Sequence, residues 1–356
     1  MIAGMADLVA AVQHNCHIAD ARHARNMTLC TYLLEMREFF RWERDLPLGV
    51  PPPREEVGRW IAEREALWEE VEETEFVDLP VAGRPVPPFA AAEANAALLP
   101  AGLVYGAGIG RFGKPHFVLA RLDRLEEPAA GAGPRILVCG CEYARDLNAL
   151  PAALQGDTVL VRREALRQWL WEKAEAWGLK QRGGPMAAAL AAYGFGAGGA
   201  ADAAALERMA DAETGTLILH ERGEWAVGRE LGPAWEEMLA GLESRRAEIL
   251  ARAVRDLWAD CLVTLPALLE AGAAGPLHFW FANLEGMRRE LVPGLQGAYE
   301  AWIGGDAAPL AAAAAAGAGH WRGVARRFLD LHRADPVAAE QEFEALSHRP
   351  VDLAAP

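Results

Sequence analysis

The apolar residues of this chain change their spacing twice, and no other feature restricts the fold as strongly. Up to about Asp78 they recur at three- and four-residue steps, as along one face of a helix. Thr28 is placed to cap a helix on which Leu29, Leu33, Met36 and Phe40 form one stripe that ends before Pro47. Pro51, Pro52 and Pro53 then break the chain, and a second helix is expected over residues 54–75, with Trp60, Leu67, Trp68 and Val71 as its apolar side. Between about Val81 and Arg163 the period shortens. Residues 103–105, 116–122, 135–139 and 158–161 are short β-rich runs separated by glycine and proline, which predicts a small antiparallel sheet or partial barrel. A helix over residues 142–154 is expected to lie on that sheet. From Glu164 onward the helical period returns and persists, with glycines at 194–199 interrupting it and a long helix over 244–270 broken only at Pro266.

This pattern predicts an α+β, predominantly α-helical architecture: N-terminal helices over 1–80, a small central antiparallel sheet over 81–163 and a C-terminal helical bundle over 164–356. A length of 356 residues exceeds one ordinary core, and 52% apolar residues suffice to build more than one.

Charge narrows the partners. A net charge of −15 leaves no basic surplus to displace counterions from a phosphate backbone, so neither nucleic acid nor an anionic membrane surface is an expected partner. No apolar run approaches the roughly 18 residues a span requires, and the first residues carry no basic leader, so the cytosol is the expected compartment. Abundant alanine, glycine and arginine beside only three lysines is the skew of a GC-rich bacterial genome. The five cysteines are odd in number and scattered, and no disulfide is expected. Residues 54–78 hold ten acidic side chains against three arginines, a solvated face or a surface for a basic partner.

Chemistry-bearing residues concentrate in three places. In the first helix Cys16, Asp20 and His23 stand at i, i+4 and i+7 with His17 beside Asp20, so thiolate, imidazole and carboxylate project from neighbouring positions. Such a mixture suits zinc and late divalent ions, although the spacing is not that of a zinc finger. The alternative is a polar helix whose histidines bond locally. Second, His220 and Glu224 are one helical turn apart, with Glu221 between them. Helical bundles present imidazole and carboxylate to metals in this way, but the second histidine of the HExxH motif is absent. A strand end followed by a turn at Gly223 is the alternative there. Third, Asp256 and Asp260 interrupt an apolar seam beside Cys261, where arginine or metal must compensate them; Arg252 and Arg255 are near enough to do so. His278 and His320 are weaker candidates of the same kind.

Other signals point to structure. Residues 104–110 are glycine-rich, but Gly113 and Pro115 forbid the helix a phosphate loop needs, and a β-turn is expected. Cys139 and Cys141 are separated by one residue, not the two of a redox motif, and lie at a strand end, where one thiol is expected buried and the other exposed, an inert pair. Serines are too few, and too poorly placed, for a nucleophile. The segment from Asn15 to Trp42, with its Asn-Cys-His-Ile-Ala-Asp-Ala-Arg-His opening and Leu-Glu-Met-Arg-Glu-Phe-Phe-Arg-Trp close, resembles the start of an uncharacterised bacterial family of similar length. No activity is assigned to that family, so the resemblance implies no site residue.

The functional expectation is therefore a divalent metal ion, zinc, iron or manganese, on Cys16, His17, Asp20, His23, His220 and Glu224, with Glu221 spare as a base for a small-molecule hydrolase or oxidase. The alternative is an interaction protein that docks a basic partner on its acidic helix.

Overall fold

The computed structural model describes residues 4–110, 113–129, 132–180, 183–196, 203–346, 351 and 353. The chain is α+β and predominantly helical, and it divides into two compact units, Met1–Glu127 with Arg135–Trp171 and Pro128–Pro134 with Glu172–Pro356. No helix among the described residues is long and apolar enough to cross a membrane.

The first unit opens with α1 (Met5–His23), α2 (Leu29–Glu43) and α3 (Arg54–Val71). Thr28 caps α2 as expected, its side-chain oxygen accepting from Thr31 N. The stripe on α2 is only half used. Met36, Phe39 and Phe40 are buried against Trp60, Trp68 and Val71 of α3, whereas Leu29 and Leu33 are exposed. A short hairpin of β1 (Leu79–Val81) and β2 (Arg84–Val86) and helix α4 (Ala91–Leu98) lead into the main sheet.

That sheet has five strands, β3 (Leu103–Ile109), β4 (Pro115–Glu126), β5 (Arg135–Arg145), β6 (Ala152–Gln155) and β7 (Thr158–Arg162), in the order β3-β4-β5-β7-β6. It is mixed, not purely antiparallel, because β5 pairs parallel with β7. Two local expectations are corrected. The glycine-rich run at 104–110 is no turn but β3 itself. A Cβ at Gly106 would stand 2.5 Å from a Leu160 methyl and 2.9 Å from Val118, so the glycine lets neighbouring side chains close over the strand. The helix expected over 142–154 does not form. β5 runs on to Arg145 because the buried Glu142 carboxylate is met by Arg162 through two hydrogen bonds of 2.8 and 2.7 Å, a long-range pairing that outweighs helix propensity. Cys139 and Cys141 fall inside β5 rather than at its end, one buried and one exposed.

α1 packs across one face of this sheet. Leu8, Val12, Cys16 and Ala19 share a core with Leu103, Tyr105, Phe117, Leu119 and Ala144, so the N-terminal helix and the sheet form one unit. Every residue from Asn15 to Ala21 is buried. The polar ones are satisfied at long range: Asn15 exchanges hydrogen bonds of 2.9 and 2.8 Å with the Val77 backbone, and Gln13 exchanges bonds of 3.1 and 3.2 Å with that of Arg145. α5 (Arg163–Lys180) follows β7 directly.

The second unit is helical: α6 (Pro185–Tyr193), α7 (Ala203–Leu231), α8 (Pro233–Gly241), α9 (Arg245–Ala259), α10 (Leu265–Glu270), α11 (Ala274–Ala282), α12 (Gly286–Leu291), α13 (Leu295–Ile303), α14 (Ala308–Ala334) and α15 (Pro336–Leu346). The glycine interruption at 194–199 is described only to Gly196; its remainder lies outside the described residues. Between α9 and α10 the backbone widens into one π-helical stretch, Asp260–Thr264, just before Pro266. Proline has no N–H to give the preceding turn, which accounts for the widening there. The alanine tract at 311–316 lies within α14, which packs on α9, α13 and α15 around Trp258, Trp321 and Phe328.

Candidate functional site

Residues 217–224 are helical throughout, so His220, Glu221 and Glu224 project from α7 and the strand-and-turn alternative is discarded. His220 and Glu224 share a face, with Nε2 3.5 Å from Oε1 of Glu224. That face meets the end of α9 because of Gly223: a Cβ there would lie 2.7 Å from the carbonyl oxygen of Ala259, so only glycine permits the approach. The approach brings Asp260, which opens the π-helical stretch, to 2.8 Å from Nδ1 of His220. Asp256, one turn earlier, completes a group in which single ligand atoms from His220, Glu224 and Asp256 lie within 4.8 Å of one another. Donors held about 2.1 Å from one ion stand roughly 3–4 Å apart, so the three need little movement to share one.

Two guanidinium groups border the cluster. Arg255 donates to Glu224 at 3.0 Å and also faces the exposed Glu236 at 3.5 Å; Arg288 donates to Asp260 at 3.4 Å and to the carbonyl of Asn283 at 2.9 Å. Arg252, expected to compensate the aspartates, instead binds Glu248 one turn away. Glu221 is buried and accepts no hydrogen bond among the described residues.

The electrostatics are those of a crowded acidic cluster. Burial opposes charge on His220, but Asp260 and Glu224 outweigh it and raise the imidazole's pKa well above the ordinary value. Burial raises Asp260 and Glu224 in turn, yet His220 with Arg288, and His220 with Arg255, pull the two below the usual carboxylate range. Glu221 and Asp256, raised first by burial and then by the charge on Glu224, reach about 7 and about 6. Four carboxylates face two guanidinium groups, and the excess negative charge is met by protons or by a cation.

The donors of α1 do not gather in this way; among the described residues no metal-like group includes them. The Cys16 thiol donates to the Phe117 carbonyl at 3.4 Å, and burial pushes its pKa far up, further raised by Asp146 and Asp20. Arg64 Nη1 stands 2.7 Å from Nε2 of His17 and Trp68 Nε1 3.4 Å from Nδ1, and the neutral ring accepts from one of the two. Burial, with Arg64 and His14, drives its pKa down to about 3. Asp20 accepts from Lys114 at 2.8 Å and from Leu147 N at 2.8 Å, and burial lifts it to about 6 against the pull of Lys114. His23 is kept low by burial and by the neighbouring Lys114 and His116. Cys16, His17, Asp20 and His23 belong to the first unit, and His220, Glu221 and Glu224 to the second. His278 binds the Tyr299 hydroxyl at 2.8 Å, and His320 packs edge-on against Trp321.

The i, i+4 spacing puts His220 and Glu224 on one face of a helix, and α7 keeps them there. Arg288 carried no signal, since two adjacent arginines in a short helix read as surface. No curated protein and no solved structure matches the chain. Models of the N- and C-terminal domains of a family of unknown function (DUF6866) match residues 7–162 and 167–350, and the chain belongs to that family.

Proposed function

We propose that the C-terminal unit binds one divalent ion, zinc, iron or manganese, through His220 Nε2, Glu224 and Asp256, and uses it in hydrolysis of a small ester or phosphoester. The observation that carries this is the Asp260 carboxylate on Nδ1 of His220 at 2.8 Å. A carboxylate on one ring nitrogen fixes the tautomer and turns the other nitrogen toward a metal, the usual outer support of a metal-ligating histidine. Here that second nitrogen faces Glu224. A π-helical stretch at the site adds support, because such stretches cluster at functional positions.

A bound divalent ion supplies a Lewis acid and a water of lowered pKa. Glu221, buried beside the three donors with no hydrogen bond among the described residues, is placed to take a proton. Arg288 and Arg255 have the charge and shape to hold an anionic ester group. One observation favours a closed ion-pair network instead: Arg255 already occupies Glu224 at 3.0 Å.

Elemental analysis of untagged, chelator-free protein by plasma mass spectrometry separates the two. The proposal requires about one equivalent of metal per chain, lost in His220→Ala and Asp256→Asn and bound roughly 10–100-fold more weakly in Asp260→Asn. Glu221→Gln should keep the ion and lose hydrolysis of p-nitrophenyl acetate or phosphate. Protein that is empty and takes up no added zinc, iron or manganese leaves the ion-pair network standing and removes the site.

A further inference from the structure

The first turns of α2 leave a row of large apolar side chains outside the core: Leu29, Leu33 and Leu34 are 71%, 47% and 55% exposed, with Cys30 exposed beside them. Leu29 borders a cleft of about 490 Å³. Ala21 and Ala24 at the end of α1 and Trp68 of α3 line it together with Met27, Leu29 and Tyr32. Small alanines beside a large indole leave the cleft room for an inserted side chain. Scattered exposed leucines need no explanation, but Leu29 and Leu33 share one face of α2 at i and i+4, and exposed apolar side chains beside a cleft with a polar rim mark a contact surface.

The rim states the chemistry of what docks there. Glu65 and Glu69 of α3, and Glu72 that caps its C-terminal end, line the cleft at i, i+4 and i+7, one row of carboxylates along its length. Tyr32 binds Glu65 and Arg25 pairs with Glu72, while Glu69 has no ion pair among the described residues. Glu65 and Glu69 repel one another at i, i+4 on α3, a repulsion that cations laid along the wall relieve. An apolar floor walled by regularly spaced acids fits an amphipathic helix carrying lysine or arginine along its flank. A second copy of this chain is a poor occupant, since its net charge of −15 sets acid against acid.

We infer that the groove between α2 and α3 is a docking site for a basic amphipathic helix of a partner protein, which inserts an apolar side chain between Trp68 and Leu29 and lays its cations against Glu65, Glu69 and Glu72. This surface lies in the N-terminal unit and does not depend on the metal proposal.

The test is a fluorescence-anisotropy titration of the full chain with a labelled leucine–lysine peptide, about 18 residues and five turns long, at physiological ionic strength. The amphipathic peptide should bind at least about tenfold more tightly than a scrambled peptide of the same composition, and Leu29→Ser with Leu33→Ser should abolish that preference. Both leucines are exposed, so an unchanged circular-dichroism melt is expected; Glu69→Lys, a surface change on the opposite wall, should weaken binding independently. Equal binding of the scrambled peptide, or no response to either variant, overturns the inference. A dimer in sedimentation velocity that the leucine variant dissolves overturns it as well, by giving the face to a second copy.

Discussion

Glu213 is the residue whose environment makes the plainest demand. It is buried on α7, accepts a hydrogen bond from the Tyr193 hydroxyl at 2.6 Å, and burial lifts its pKa from 4.5 to about 7. The folded chain therefore holds this proton more tightly than the unfolded chain between those values, and stability falls as pH rises through that window. Above pH 7 the ionised carboxylate costs about 3 kcal/mol relative to acid conditions. Glu213→Gln keeps an acceptor for Tyr193 and removes the charge. In urea unfolding the variant should match the native chain near pH 5 and exceed its stability near pH 8; equal loss at both values would show that packing, not charge, governs the position.

At the scale of elements, the contact between α7 and α9 makes the candidate centre. Alanine normally strengthens a helix interior over glycine by up to about 1 kcal/mol. At Gly223 the added carbon meets the Ala259 carbonyl oxygen at 2.7 Å, a backbone atom with little room to yield. Gly223→Ala should lower stability by about 1–3 kcal/mol and weaken the proposed metal binding by moving His220 away from Asp260. Gly228, on the same helix with nothing within 4 Å of its added carbon, is the control. Gly228→Ala should be neutral or stabilising, and if both substitutions behave alike in urea titration the close approach is not what sets the geometry.

For the whole molecule, the two compact units and the two family domains divide the chain at nearly the same place, beside the first half of α5. A ligand that binds the native state stabilises it by mass action, by about 2.7 kcal/mol at a hundredfold excess over Kd. Zinc or manganese should therefore raise the unfolding temperature of the intact chain in calorimetry, and His220→Ala should erase the rise. An unchanged Tm at saturating ion counts against a native metal site.

The chain's local chemistry determined the helical ends, four of the five main strands, the Thr28 cap and the pairing of His220 with Glu224, since each depends on neighbours a few residues apart. β6, whose Ala-Ala-Leu-Gln lacks β-branched residues, and the extension of β5 to Arg145 depend on pairing and on an ion pair formed across the fold, and local propensity pointed elsewhere. The same division runs through the candidate sites. On α1 the row of Cys16, Asp20 and His23 is real along the helix, but burial gave Cys16 and Asp20 separate partners, the Phe117 carbonyl and Lys114, and left His23 half-buried apart from them. On α7 the tertiary structure set Asp260 and Asp256, already marked in the sequence as acids on an apolar seam, against His220 and Glu224 and added Arg288, brought together by one glycine's lack of a side chain and by a widened helical turn. Periodicity specifies which face of a helix a residue occupies; only packing decides what stands opposite that face, because contact distances between elements are set by side-chain volume and not by sequence separation.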